Sequence, residues 1–125
     1  MNNELITFGE IMTRFSPSDN LKLEQTMPGS IDVTFAGAEA SVAVSYSRLG
    51  GKSHIVTALP KNIMADACIM NLRSHGVHTD NIIRNNNGRL GTYYLETGAN
   101  QRASKVEYDR NGSSVSITDP KNCLL

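Results

Sequence analysis

A glycine flanked by alanines, set between a strand-like run and a helix-like run, constrains this chain more than any other feature. Ile31-Asp32-Val33-Thr34-Phe35 alternates, which puts Ile31, Val33 and Phe35 on one face of a half-buried strand. From Ala36-Gly37-Ala38 onward the period changes. Val42, Tyr46 and Leu49 fall at i, i+4 and i+7, which predicts a helix with one apolar stripe, ended by Gly50-Gly51. Glycine at such a junction permits unusual backbone angles and a close approach by another molecule. A helix start also presents unpaired N–H groups and the positive end of its dipole, suited to oxygen-rich ligands. A plain turn and a ligand site both satisfy the pattern, and spacing alone favours the turn.

Strands and helices alternate on either side. Glu4 to Glu10 reads as a short strand stopped by glycine, and Ile11 to Ser16 as a second extended piece before the turn Ser16-Pro17-Ser18-Asp19-Asn20. A polar stretch runs to Ser30, with Pro28-Gly29 as a further turn. Lys52 to Leu59 is a mostly apolar strand; joined through the helix to the Ile31–Phe35 run, it predicts a parallel, right-handed βαβ unit. A second helix is expected from Asn62 or Ile63 to Ser74, with Ala65, Cys68, Ile69 and Leu72 as its apolar face and Gly76 as its stop. Asn81 to Arg84, Leu90 to Glu96 and Ser104 to Arg110 read as strands, and Ser113 to Ile117 as another alternating piece. No repeat, low-complexity tract or flexible linker interrupts the pattern.

Composition excludes several classes. Lys and Arg number 12 against 12 for Asp and Glu, so there is no nucleic-acid footprint. No apolar run approaches the roughly 20 residues that span a bilayer, and the first residues lack the basic and apolar regions of a signal peptide. Apolar content of 39% with 6% aromatics allows one lean core. Cys68 and Cys123 are too few for a disulfide framework, and Cys68, mid-helix among apolar residues, reads as a core thiol. The expectation is a soluble, cytoplasmic protein. His54, His75 and His78 lack metal-ligand spacing, no glycine-rich phosphate loop or dinucleotide fingerprint is present, and nothing marks a nucleophile elbow. No catalytic or metal-ligating residue is assigned.

The last third carries the remaining chemistry. Tyr93 and Tyr94 must point to opposite faces of their strand, whereas Val106, Tyr108 and Arg110 share one. A phenol and a guanidinium two residues apart can bind a polyol and a carboxylate together, because the guanidinium fork matches a carboxylate bidentately. A solvated strand face satisfies the same pattern, and the residues alone favour it.

The ordered blocks Ile6-Thr7-Phe8-Gly9-Glu10-Ile11-Met12, Phe35-Ala36-Gly37-Ala38-Glu39-Ala40 and Ser47-Arg48-Leu49-Gly50 resemble the start of a PfkB/ribokinase-family sugar kinase. Val56 to Pro60, Gly88 to Glu96 and Tyr108-Asp109-Arg110 resemble the 2-keto-3-deoxygluconate kinases of that family. The resemblance spans residues 4 to 120. It implies an α/β fold: part of a Rossmann-like (ribokinase-like) parallel sheet with helices, plus a small projecting β-sheet lid with segments near 11–36 and 89–118. It implies transfer of the γ-phosphoryl group of ATP, with Mg²⁺, to a hydroxyl of a sugar acid. Carried over by position, Gly37 and Ala38 approach the substrate with their backbone, and Tyr93, Tyr108 and Arg110 line the site, Arg110 nearest the carboxylate. With this resemblance the reading of Tyr108 and Arg110 turns from solvated face to site.

Departures from the family pattern qualify what this chain can do alone. Ser41 stands where relatives usually have Asn, which weakens one polyol contact, and Ala65 stands where they commonly have Gly. None of Asp66, Asp80, Asp109 and Asp119 follows the glycine-rich turn that holds the family's catalytic base. Residues 1–125 are therefore expected to be the N-terminal, sugar-binding portion without the nucleotide-binding half, binding neither ATP nor Mg²⁺ tightly and inactive by itself. The alternatives are a non-catalytic sugar-acid-binding module, one that pairs through its lid, and an inactive remnant. A homo-oligomer through the lid strands is expected.

Overall fold

In the computed structural model, which describes residues 3–123, the chain divides into a body sheet and a lid sheet. The body holds strands β1 (Glu4–Phe8), β4 (Lys52–Leu59) and β5 (Ile82–Arg84), in the order β1-β4-β5. All pairings are parallel, Glu4 opposite Lys52 and Thr57 opposite Ile82. The lid holds β2 (Met12–Ser16), β3 (Asp32–Ala36), β6 (Thr92–Glu96) and β7 (Lys105–Asp109), in the order β3-β2-β6-β7. Its β2–β3 and β6–β7 pairs are antiparallel, and the central β2–β6 pair is parallel.

β4 is the spine of the body. Ile55 and Leu59 are sealed on the face where α2 (Ala38–Arg48) and α3 (Ile63–Ser74) pack, in one cluster with Ala43, Ala65, Cys68, Leu72 and Val77. α3 follows the expected pattern closely. The Asn62 side chain caps it by accepting from the Ala65 N–H at 2.8 Å, its buried residues are Ala65, Cys68, Ile69 and Leu72, and Gly76 ends it with φ +83°. Burial pushes the Cys68 thiol up to about 11, because a thiolate would lose its hydration there.

α2 departs from expectation. Its buried residues are Ala40 and Ala43, whereas Val42 and Leu49 of the expected stripe are exposed and Tyr46 is half-buried. The small residues win because they let the helix approach β4 closely enough for the buried Ser53 hydroxyl to donate to the Ala43 carbonyl at 2.7 Å. The expected βαβ pairing is also corrected. β3 belongs to the lid, so β4 pairs with β1 and β5, and the chain reaches α2 only after passing through the lid. β3 is less buried than its alternation implied, since Val33 is exposed and Phe35 half-buried.

Two short helices replace expected irregular or extended segments. α1 (Leu23–Thr26) lies in the polar stretch, where the Leu23 N–H donates to the Glu96 carboxylate at 2.7 Å. α4 (Ser114–Ile117) replaces the last expected strand. Ser116 Oγ donates locally, to the Ser113 carbonyl at 2.7 Å, whereas Ser114 Oγ reaches the distant Asn85 carbonyl at 3.0 Å. Serine's affinity for nearby backbone outweighs the period-two pattern of Val115 and Ile117. A 3₁₀ turn, Pro120–Cys123, follows. The side chain of Cys123 lies outside the described residues.

Candidate functional site

The candidate residues lie where the chain passes between body and lid. β1 stops at Phe8; Gly9 and Glu10 cross the junction, Ile11 is buried and β2 begins at Met12. The return crossing is Ala36-Gly37, with Gly37 as the N-cap of α2. Gly37 has an extended φ of 175°, so its requirement is space and not angle. A Cβ there would stand 2.6 Å from the Glu10 carbonyl oxygen. Ala38, the exposed first residue of α2, sits beside it.

The lid supplies the side chains. Tyr93 and Tyr108 are direct cross-strand partners, with ring centroids 5.6 Å apart. The Arg110 guanidinium carbon lies 4.9 Å from the centroid of the Tyr108 ring, a cation–π distance. Tyr94, on the opposite face, stacks on Phe15 at 5.5 Å. The structure thus brings Tyr93, Tyr108 and Arg110 together. Glu10 links them to Gly37: its carbonyl lies against Gly37, and its Oε1 is 3.7 Å from Arg110 Nη1.

Three residues escaped the sequence reading. Glu10 was visible only as the end of a strand. Gly91 makes room, because a Cβ there would stand 3.0 Å from both the Arg110 Cβ and Glu10 Oε2. Arg14 pairs with both Thr34 and Tyr93, which places it on the Tyr93–Tyr108 face. Its Nε donates to Thr34 Oγ1 at 2.9 Å. The alternation of β2 carried the signal for Arg14, once β2 is known to pair with β6.

The rim is fixed by charge. Arg89 meets Asp109 in a two-pronged contact at 2.8 and 3.1 Å. That hydrogen-bonded guanidinium holds the Asp109 carboxyl below its ordinary value, and the carboxylate in turn raises Arg89. On the body side, a cleft of about 300 Å³ between α2 and α3 includes Gly37, Ser41, Cys68 and His75 in its walls. Among the described residues, no group of three or more His, Cys, Asp or Glu side chains could hold a metal ion.

The pattern of the pfkB family carbohydrate kinases matches residues 2–121. The chain belongs to that family. The pfkB relatives include a 2-dehydro-3-deoxygalactonokinase of Haloferax volcanii, 37% identical over 121 residues, a match covering 96% of this chain and 37% of the relative. The crystal structure of a 2-dehydro-3-deoxygluconokinase from Thermotoga maritima superposes with a TM-score of 0.89 at 46% identity, over 95% of this chain and 36% of that one. A pfkB carbohydrate kinase from Listeria grayi gives 0.86 at 36% identity, over 93% and 35%. The parallel body with its mixed lid sheet is the ribokinase-like pfkB fold, and the chain spans a little over a third of the length of these relatives. No helix among the described residues is long and apolar enough to cross a membrane.

Proposed function

We propose that this chain forms the sugar-binding and lid portion of an ATP-dependent kinase for a sugar acid of the 2-keto-3-deoxygluconate type. The observation that carries the reading is the grouping of Tyr93, Tyr108 and Arg110 on one lid face, with the Arg110 guanidinium making no hydrogen bond among the described residues. Its fork of donors is free for a carboxylate, while the two phenols offer donors and acceptors to sugar hydroxyls. Gly37 and Ala38 bring backbone to the other side of the junction. The names of the Haloferax and Thermotoga relatives support the sugar-acid class.

The sequence carries no phosphate loop, and among the described residues no group of three or more His, Cys, Asp or Glu could hold a metal ion. ATP and Mg²⁺ supply the transferred phosphoryl group and its charge neutralisation in the whole kinase. What this chain's residues contribute is orientation of the sugar, which converts an encounter into a positioned reactant.

The test is calorimetric titration with 2-keto-3-deoxygluconate and with a neutral hexose. The acid binds more tightly, and Arg110→Ala abolishes the preference, a loss of about 1.5–3 kcal/mol for a charge-assisted contact. Equal losses for acid and neutral sugar overturn the assignment. A coupled ADP-release assay on the chain by itself gives no turnover on the same reading. The open lid strand β7, exposed along its whole length, favours association of copies through the lid, seen as a sedimentation coefficient that rises with concentration.

A further inference from the structure

Resting on the reading of the lid face as a sugar-acid site, we propose that Glu10 determines which anions Arg110 accepts, as a built-in competitor for that guanidinium. The Glu10 side chain is 22% exposed and that of Arg110 52%, so the carboxylate is the more enclosed member of the pair. Glu10 Oε2 is buried without a hydrogen-bond partner among the described residues, facing the space that Gly91 leaves open. Oε1 stands 3.7 Å from Arg110 Nη1, beyond the 2.7–2.9 Å of a charge-assisted hydrogen bond. The contact therefore balances the charge of Arg110 without using its donors.

A guanidinium in that condition discriminates in a particular way. A simple anion gains little from a charge that is already neutralised nearby. A ligand that also engages Tyr93 and Tyr108 through hydroxyls recovers enough to seat its carboxylate on the unused fork. Glu10 thus raises the threshold for binding, and polyhydroxy acids cross it where bare carboxylates do not. The backbone contact of Glu10 with Gly37 fixes the competitor at the junction, so its position does not depend on the exposed end of the lid.

The experiment titrates acetate, as a bare carboxylate, into the 125-residue chain and its Glu10→Gln variant, reading the Arg110 side-chain resonances by NMR. Glu10→Gln keeps the shape and removes the charge; acetate binding tightens about three- to fivefold, the size expected of a partly exposed charge pair. Glu10→Asp, which withdraws the carboxylate by one methylene, gives a smaller gain of the same sign and replaces the first variant if that one does not fold. Adding Arg110→Ala to either removes the gain. Unchanged or weaker acetate binding in both variants, or a gain that persists without Arg110, overturns the proposal. 2-Keto-3-deoxygluconate and a neutral hexose are then titrated in parallel. An acetate gain with no preference for the sugar acid leaves Glu10's role intact and refutes the sugar-acid reading. A sugar-acid preference with no acetate gain does the reverse.

Discussion

The two sheets of this chain are built on opposite plans. In the body, β4 is buried from Ile55 to Leu59, with helices against one face. In the lid, every residue of β7 is exposed and β3 has three exposed residues of five. The body sheet is held by apolar burial; the lid sheet is held by its ladder, by the Phe15–Tyr94 and Tyr93–Tyr108 ring pairs, and by surface contacts such as Arg89–Asp109. The lesson is a division of labour. Residues that stabilise are on β4, α2 and α3, and residues with free hydrogen-bonding capacity are on the lid, where no core packing consumes it. The body also keeps an open side: β1 lies at the sheet edge with Ile6 and Phe8 exposed, on the face away from α2.

The sharpest way to break this contrast is a matched pair of truncations. Leu59→Ala empties a site that is 1% exposed and costs about 2–5 kcal/mol, against about 0.5 kcal/mol or less for Val106→Ala on the lid, which is 45% exposed. Urea unfolding monitored by circular dichroism measures both. Comparable losses at the two positions would mean that the lid carries a core of its own. A loss of the larger size can exceed what a lean body tolerates, in which case Leu59→Ala shows a broadened or absent transition while Val106→Ala retains the parental one.

Cysteine reactivity sharpens the same contrast without disturbing packing. The Cys68 thiol is fully buried and pushed up to about 11, so at pH 8 its thiolate fraction is lower by about two orders of magnitude than that of an ordinary thiol. In a Cys123→Ser background, iodoacetamide labelling of Cys68 therefore proceeds at the rate set by opening of the body, and accelerates in urea in step with unfolding. Rapid labelling of the native chain would show that α3 separates from β4 in local openings that the lid does not share.

Much of this division was legible in the sequence. α3 declared itself fully, because its cap, apolar face and terminating glycine agree and its burial is one-sided. Period two set Tyr108 and Arg110 on one face and Tyr93 opposite Tyr94; that Tyr93 joins the other two came from the family resemblance, and the structure makes Tyr93 and Tyr108 cross-strand partners. What failed were judgements that depend on the distant partner. α2 shows an apolar stripe, yet packs through Ala40 and Ala43; only the closeness of β4 reveals why. β3 and β4 are neighbours in sequence around one helix but belong to different sheets, because the chain makes the first two lid strands, β2 and β3, between β1 and α2. Glu10 and Arg14 acquire meaning from β2 lying parallel to β6, a long-range pairing that no local pattern encodes. Ser113 to Ile117 alternates like a strand, but Ser116 bonds the Ser113 carbonyl within the turn and Ser114 is drawn to Asn85, a distant partner.

The smallest expected effect tests whether the lid's surface contacts matter at all. Arg89 joins the chain entering β6 to Asp109 at the end of β7, and its hydrogen-bonded guanidinium holds the Asp109 carboxyl below the ordinary value. A carboxyl depressed in the folded chain favours folding above its unfolded pKa, and that contribution is lost as pH falls through the folded value. The contact is open to water and salt, so its weight is slight. Lowering the pH from neutrality into the range below 4 should therefore release the β6–β7 end before the body, detected as faster exchange of the β6–β7 ladder amides with Ile55 and Leu59 still protected. Asp109→Asn should show the faster exchange already at neutral pH and lose this pH dependence, and 1 M salt should imitate it in the parent chain. If instead lid and body amides lose protection together as the pH falls, with no difference in Asp109→Asn, the surface pair is inert and the β6–β7 end is held by its ladder and ring contacts.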